Sequence, residues 1–247
     1  MEKRLLDGVD LFSGIGGLTR ALETWVRTRA YCERDRFCQS VLLSRMQTRE
    51  IPLAPIWDDV RSLRRGTINF SPGIIFGGFP CQDISHAGRK GKGLGGPESG
   101  LWLEFERIVH VFRPGNVFIE NVSRWKEWTP VVREALFHLG YDTTSVTVSA
   151  EEVGFPFKGS RTFVAASHRD CESALRIDEE MEFVFESPKI NWAKWGNPPP
   201  ESLGMVNGIP NLMDRVESVG NSVVPHQARE AFARCFVTKG NRQNGTR

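Results

Sequence analysis

The sequence predicts an α/β fold, a doubly wound and mostly parallel sheet with helices between the strands. Three observations carry that expectation. Apolar runs of strand length alternate with amphipathic stretches of helical period along most of the chain. The first apolar run ends in a glycine-rich turn, "DLFSGIGG" at 10–17, that opens onto a helical pattern. Two later runs, "GIIFGGFP" at 73–80 and "GNVFIENV" at 115–122, read as buried strands.

Taken in order, "GVDLFSG" (8–14) is a strand running into a tight turn. "GLTRALETWVRT" (17–28) places Leu18, Leu22, Trp25 and Val26 on one helical face. "RAYCER" (29–34) is a second strand and "RFCQSVLLSRM" (36–46) a helix, with a short third strand expected just before "WDDV" (57–60). The strand at 73–80 is followed by helix "LWLEFERIVHVF" (101–112), and the strand at 115–122 by helix "PVVREALFHLG" (130–140). "TTSVTVS" (143–149) and "RTFVAAS" (161–167) add two strands. The alternation then stops. From 169 to about 206 the chain is rich in Trp, Pro and charge and reads as an irregular insert. Helix "HQAREAFARCFVT" (226–238) returns to amphipathic spacing, and 239–247 reads as a tail. The expected organisation is a main domain over 1–168, an insert over 169–206, a returning segment over 207–238 and the tail.

The 247 residues suit one large domain or one with a small appendage, and a hydrophobic content of 40% is enough for a core. A net charge of +2 excludes a global basic field, so any nucleic-acid contact must come from local Arg/Lys clusters. The five cysteines, at 32, 38, 81, 171 and 235, form no CxxC pair and no zinc spacing, so no metal is expected. Their odd number and scatter suit a reducing compartment. With no signal-peptide core and no apolar run of membrane-spanning length, a cytoplasmic protein is expected.

Four places carry chemistry. The turn at 10–17, with Phe12, Gly14, Gly16 and Gly17, lets backbone N–H groups approach a ligand, and Glu33 ends the second strand where a ribose hydroxyl pair would be gripped. The spacing departs from GxGxxG, so a nicotinamide cofactor is not favoured. Cys81 follows Pro80 at the end of a buried strand, among polar neighbours. Ligands of doubly wound sheets bind at such strand ends, and a thiolate is a strong nucleophile. Cys38 and Cys235 fit helix faces; Cys32 and Cys171 read as structural. Glu120 ends another buried strand after Val117, Phe118 and Ile119, where desolvation would raise its pKa and let it donate a proton. Arg161 enters an apolar strand and needs an acceptor. "VGNSVVP" (219–225) is, by itself, a loop.

With these residues in place the chain closely resembles the cytosine-C5 DNA methyltransferase family, in its compact bacterial and phage-borne form. "DLFSGIGG", Glu33, "WDDV", "GGFPCQDIS", "FIENV", "VGFPFKGSRTFVAA" and "VGNSVVP" appear in family order across residues 10 to 225. The resemblance implies the Rossmann-like fold of S-adenosylmethionine-dependent methyltransferases and transfer of a methyl group to C5 of a flipped-out cytosine in double-stranded DNA. It implies that S-adenosylmethionine sits over the glycine turn against Phe12. Glu33 would hold the ribose, Asp59 the adenine amino group, and Pro80, Leu101, Asn221 and Ser222 the rest. Cys81 would attack C6, Glu120 engage the N3 edge and Arg161 bond O2. The stretch "HAGRKGKGLGGPESG" (86–100) would close over the base. Gln82, Ser85, Arg89, Lys90 and Lys92, with Lys194 in the insert, are the candidate DNA contacts.

Trp192, Lys194 and Trp195 serve either recognition or anchoring of the insert. The chain departs from the family at 157–161, where only Arg161 of a Gln-x-Arg-x-Arg pattern is kept, and near Gly73, where an acidic residue is common. A monomer is expected, with a restriction endonuclease of the same system as a companion that need not touch it. A catalytically silent S-adenosylmethionine- or DNA-binding protein and an RNA cytosine-C5 methyltransferase are the alternatives.

Overall fold

The computed structural model describes residues 5–80, 100–122, 125–155, 157–171, 177–178 and 223–238. The strands are β1 (Leu6–Leu11), β2 (Val26–Cys32), β3 (Ile56–Trp57), β4 (Ile74–Gly77), β5 (Asn116–Val122), β6 (Tyr141–Ser149), β7 (Ser160–His168), β8 (Ile177–Asp178) and β9 (Val237–Thr238). The helices are α1 (Gly17–Leu22), α2 (Arg36–Gln47), α3 (Gly100–Phe112), α4 (Trp125–His138) and α5 (Pro225–Phe236). A 3-10 turn at Val60–Ser62 follows β3.

Seven strands form one sheet in the order β3-β2-β1-β4-β5-β7-β6. The pairings β1–β2, β1–β4, β2–β3 and β4–β5 are parallel; β5–β7 and β6–β7 are antiparallel. The mostly parallel expectation therefore holds. The antiparallel end has a simple cause: residues 150–159 are too short a link for a helical crossover, so β7 folds back beside β6.

The central strands are buried on both faces, and their side chains alternate between two cores. Val9, Leu11, Ile75, Val117, Ile119, Val164 and Ala166 pack with α3 and α4 on one face. Ile74, Phe76, Phe118, Phe163 and Ala165 pack with α1 and α5 on the other. Phe118 stacks on Phe163 at 5.4 Å and meets Phe232 edge-on at 5.0 Å, which ties the sheet to α5. α2 adds a small satellite core of Tyr31, Leu42, Met46 and Ile51.

Three element boundaries differ from the sequence expectation. The helix expected at 17–28 ends at Leu22, and Val26 already opens β2, where burial alternates strand-fashion over Val26–Thr28. Leu18, Leu22, Trp25 and Val26 do share one buried patch, but a turn and a strand supply half of it. The helix expected to start at Pro130 starts at Trp125, with Pro130 inside it. Its first turn is anchored by buried Trp128, whose Nε1–H donates to the Val122 carbonyl at 3.2 Å. The last helix stops at Phe236, and Val237–Thr238 pairs in parallel with Ile177–Asp178. Little else of the 169–206 insert, and none of 239–247, lies within the described residues. Among the described residues no helix is long and apolar enough to cross a membrane.

Candidate active site

The chain leaves β1, runs outward through β2 and β3, and crosses back to β4 on the other side of β1. Strand order reverses there, and the loops beyond the carboxyl ends diverge to leave a crevice. A cleft of about 890 Å³ opens at that edge. Phe12, Gly14 and Gly17 after β1, Glu33 after β2, Asp59 after β3, Pro80 after β4, Leu101 on α3, Glu120 at the end of β5 and Arg161 at the start of β7 all line it. The antiparallel course of β7 is what brings its first residues to this edge.

Gly16 is the exception among the candidates. A Cβ there would lie 3.1 Å from Leu42 and 3.4 Å from Ile51, so Gly16 packs against the α2 layer and not the cleft. Its φ of +85° is one that glycine adopts without strain. Gly14 has open space where a Cβ would stand, and Gly17 lies against the backbone of Val223. Phe12 holds a φ of 54°, uncommon for a residue with a side chain, and its ring stacks near Phe105 at 6.4 Å.

Two of the backbone N–H groups of this turn are taken up within the protein. Gly14 N–H donates to Glu33 Oε2 at 2.7 Å, and Gly16 N–H to the Ser13 carbonyl at 2.8 Å. The other Glu33 oxygen accepts Asp35 N–H at 2.7 Å. Both oxygens are thus oriented by backbone, and each keeps acceptor capacity toward the cleft. Burial pushes Glu33 above the ordinary carboxylate value, while the two N–H donors pull the other way. Beneath the turn, buried Asp10 accepts from Thr19 Oγ1 at 2.7 Å. Burial, helped by the charge of Glu33, pushes it up to about 8. Asp59 accepts the N–H of Arg61 at 2.9 Å and so starts the 3-10 turn.

The opposite wall holds the ion pair. Glu120 Oε1 lies 3.5 Å from Arg161 Nε. That distance is too long for a hydrogen bond, and Glu120 Oε1 has no hydrogen-bond partner among the described residues. Glu120 is only 7% exposed. Burial pushes its carboxyl up to about 7, with the Arg161 charge opposing. Such a group exchanges a proton near neutral pH.

Three further residues, Gly77, Gly78 and Asn121, shape this wall. A Cβ on Gly78 would sit 2.6 Å from Glu120 Oε2, so the carboxyl lies directly over that backbone. A Cβ on Gly77 would run into the Leu11 carbonyl, which accounts for the glycine where β4 ends beside β1. Asn121 Nδ2–H donates to the Phe79 carbonyl at 3.0 Å and ties the end of β5 to the segment before Pro80. Gly78→Ala should displace the Glu120 carboxyl and lower the rate by about 10²-fold, the scale of a 1 Å misplacement. Cofactor titration beside steady-state kinetics checks it: affinity stays, turnover falls.

Cys81, Asn221, Ser222, Gln82, Ser85, Arg89, Lys90, Lys92 and Lys194 lie outside the described residues, as do Trp192 and Trp195. Cys32 and Cys38 also line the cleft, and burial pushes the Cys32 thiol up to about 12, leaving it unreactive. Among the described residues no group of three or more His, Cys, Asp or Glu side chains is placed to hold a metal ion.

The family model for C-5 cytosine-specific DNA methylases matches residues 6–246. The chain is 29% identical over 232 residues to the type II methyltransferase M.CviJI of Paramecium bursaria Chlorella virus IL3A, covering 93% of this chain and 59% of that one. It is 34% identical over 170 residues to the type II methyltransferase M2.BsuMI of Bacillus subtilis, covering 64% and 41%. The fold matches that of the Entamoeba histolytica methyltransferase EhMeth with a TM-score of 0.57 at 20% identity, over 66% of this chain and 53% of that one. The chain thus spans about half the length of these relatives.

Proposed function

Because the chain belongs to the C-5 cytosine-specific DNA methylase family, we propose that it transfers a methyl group from S-adenosylmethionine to C5 of a cytosine flipped out of duplex DNA. One observation carries the reading: a nearly buried carboxyl with proton affinity near neutrality, 3.5 Å from a guanidinium, at the edge of a cleft large enough for a nucleoside cofactor.

The cleft residues fit that cofactor. Gly14 leaves its wall open, Glu33 presents a carboxylate oriented for vicinal hydroxyls, Phe12 offers a ring, and Asp59 an acceptor for an amino group. Leu101 and Pro80 add apolar surface, and Asn221 and Ser222 complete the proposed set. When bound, S-adenosylmethionine supplies an electrophilic methyl group. The Cys81 thiolate adds to C6 of the base, and the electron pair displaced toward N3 is met by a proton from Glu120. C5, now enamine-like, would take the methyl from the sulfonium, which leaves as the thioether S-adenosylhomocysteine. Loss of the C5 proton to water would then expel Cys81 as thiolate and restore the ring, and N3 would return its proton to Glu120. Arg161 bonds O2 and holds the ring plane. A stacked base hides these atoms, so the cytosine leaves the duplex first.

Recognition of the DNA sequence falls to the 169–206 insert, with backbone contacts from Gln82, Ser85, Arg89, Lys90, Lys92 and Lys194. The same reading takes the protein as a monomer in a system that includes a restriction endonuclease, with no physical contact implied. Replacing 186–200, "ESPKINWAKWGNPPP", with a Gly/Ser linker should spare cofactor binding and remove site-selective methylation. Calorimetry with cofactor and methylation of mixed-sequence DNA check this together. Loss of cofactor affinity alongside thermal stability would instead mark the tryptophans as anchors.

Transfer of tritium from labelled S-adenosylmethionine to duplex DNA and to tRNA tests the function itself. Label in DNA alone supports the reading. Label in tRNA alone identifies an RNA methyltransferase, and cofactor binding without transfer a silent binding protein.

A further inference from the structure

We propose that Arg107 is the positioning residue for the adenine side of the cofactor cleft, an inference that rests on the S-adenosylmethionine reading above. The 3-10 turn that Asp59 caps is three residues long, and hydrogen-bond geometry in such turns is poor. The Val60 carbonyl accepts Leu63 N–H at 3.3 Å and the Leu63 carbonyl accepts Arg64 Nη1–H at 3.2 Å; α3 adds a shorter bond to each. Arg107 Nη2–H donates to the Val60 carbonyl at 2.9 Å and Nη1–H to the Leu63 carbonyl at 3.0 Å. Nε–H donates to Glu104 Oε2, one turn earlier, at 2.6 Å, which orients the guanidinium plane. Val60 and Leu63 are themselves buried against the α3 core.

The turn is therefore clamped from its carbonyl side, while Asp59, Val60 and Arg61 line the cleft. Leu101, on the first turn of the same helix, lines the cleft too. α3 thus forms one part of the wall directly and props another through Arg107. The planar fork suits this task, since it reaches two carbonyls and one carboxylate at once; a lysine ammonium has no such geometry.

The test is calorimetric titration of S-adenosylmethionine into wild type, Arg107→Met, Arg107→Lys, Asp59→Ala and the Asp59→Ala/Arg107→Met pair. Amide exchange of residues 61–63 in the cofactor-free proteins and steady-state kinetics accompany it. Arg107→Met should weaken cofactor binding about tenfold, the scale of losing charged hydrogen bonds. Exchange at 61–63 should quicken, and kcat at saturating cofactor should stay within about twofold of wild type. Arg107→Lys, which keeps the aliphatic stem and charge, should fall between the two and control for loss of fold.

If Arg107 acts through Asp59, the pair should bind little worse than Asp59→Ala alone. Binding by Arg107→Met or Arg107→Lys that equals wild type, or a pair that loses the full product of the single effects, would overturn the proposal. Failure of the wild type to bind S-adenosylmethionine would overturn the cofactor reading and this inference with it.

Discussion

Cys81→Ser is expected to reduce methyl transfer by about 10³-fold or more, as removal of a covalent nucleophile does. The ground is chemical. C5 of cytosine is a poor nucleophile until a group adds at C6, and only an anion adds readily. A free thiol has a pKa of about 8.5 and supplies some thiolate at neutral pH; a serine hydroxyl supplies essentially none. The position supports the role, since Cys81 directly follows Phe79 and Pro80, which line or border the cleft that also holds Glu120. Cofactor binding should be unchanged, because no cofactor candidate depends on the thiol. Duplex DNA carrying 5-fluorocytosine should trap wild type as a covalent adduct, since fluorine does not leave as a proton does, and should not trap Cys81→Ser. Near-wild-type turnover by the variant would remove Cys81 from the mechanism.

Glu120→Gln should keep cofactor affinity and lose about 10²–10⁴-fold in rate, the usual worth of general acid–base help. The amide retains the shape beside Gly78 but carries no transferable proton. The pH dependence is the sharper readout. Burial pushes the Glu120 carboxyl up to about 7, so the proton-donating form prevails below neutrality and is lost as pH rises through that value. The slope of log kcat/KM against pH should therefore drop by about one as pH rises through about 7, where Glu120 gives up its proton. In Glu120→Gln that break should disappear. A pH profile of the two proteins, run with a constant-ionic-strength buffer series, checks it; an unchanged break in the variant would assign it to another group.

Much of the sheet was legible in the sequence because its strands are apolar on both faces and its glycines mark strand ends. The cleft was legible for the same reason. In a doubly wound sheet, residues such as Phe12, Glu33, Pro80 and Glu120, far apart in the chain, meet wherever the strands that carry them end. Other features were beyond the reach of pattern. Trp25 and Val26 sit at helical spacing from Leu18 and Leu22, yet a turn and a strand bury them in the same patch. Periodicity reports which side chains share a core, not which backbone delivers them.

Gly16 looked like part of a ligand turn, but its free space is filled by Leu42 and Ile51 from the α2 layer, a tertiary contact that local sequence does not encode. Gly78 and Arg107 were missed for a related reason. The need for no Cβ at Gly78 comes from Glu120, 42 residues on, and the partners of Arg107 lie 44 and 47 residues back. Only the i,i+3 pairing of Glu104 with Arg107 left a local trace.

Production of 5-methylcytosine in DNA by this chain is read most directly by nucleoside mass spectrometry of unmethylated duplex DNA after incubation with the protein and S-adenosylmethionine, beside a Cys81→Ser control. The wild type should yield 5-methyldeoxycytidine and the control essentially none. Unmodified DNA, or methylation at an exocyclic amino group in place of C5, would rule out C5 transfer by this protein.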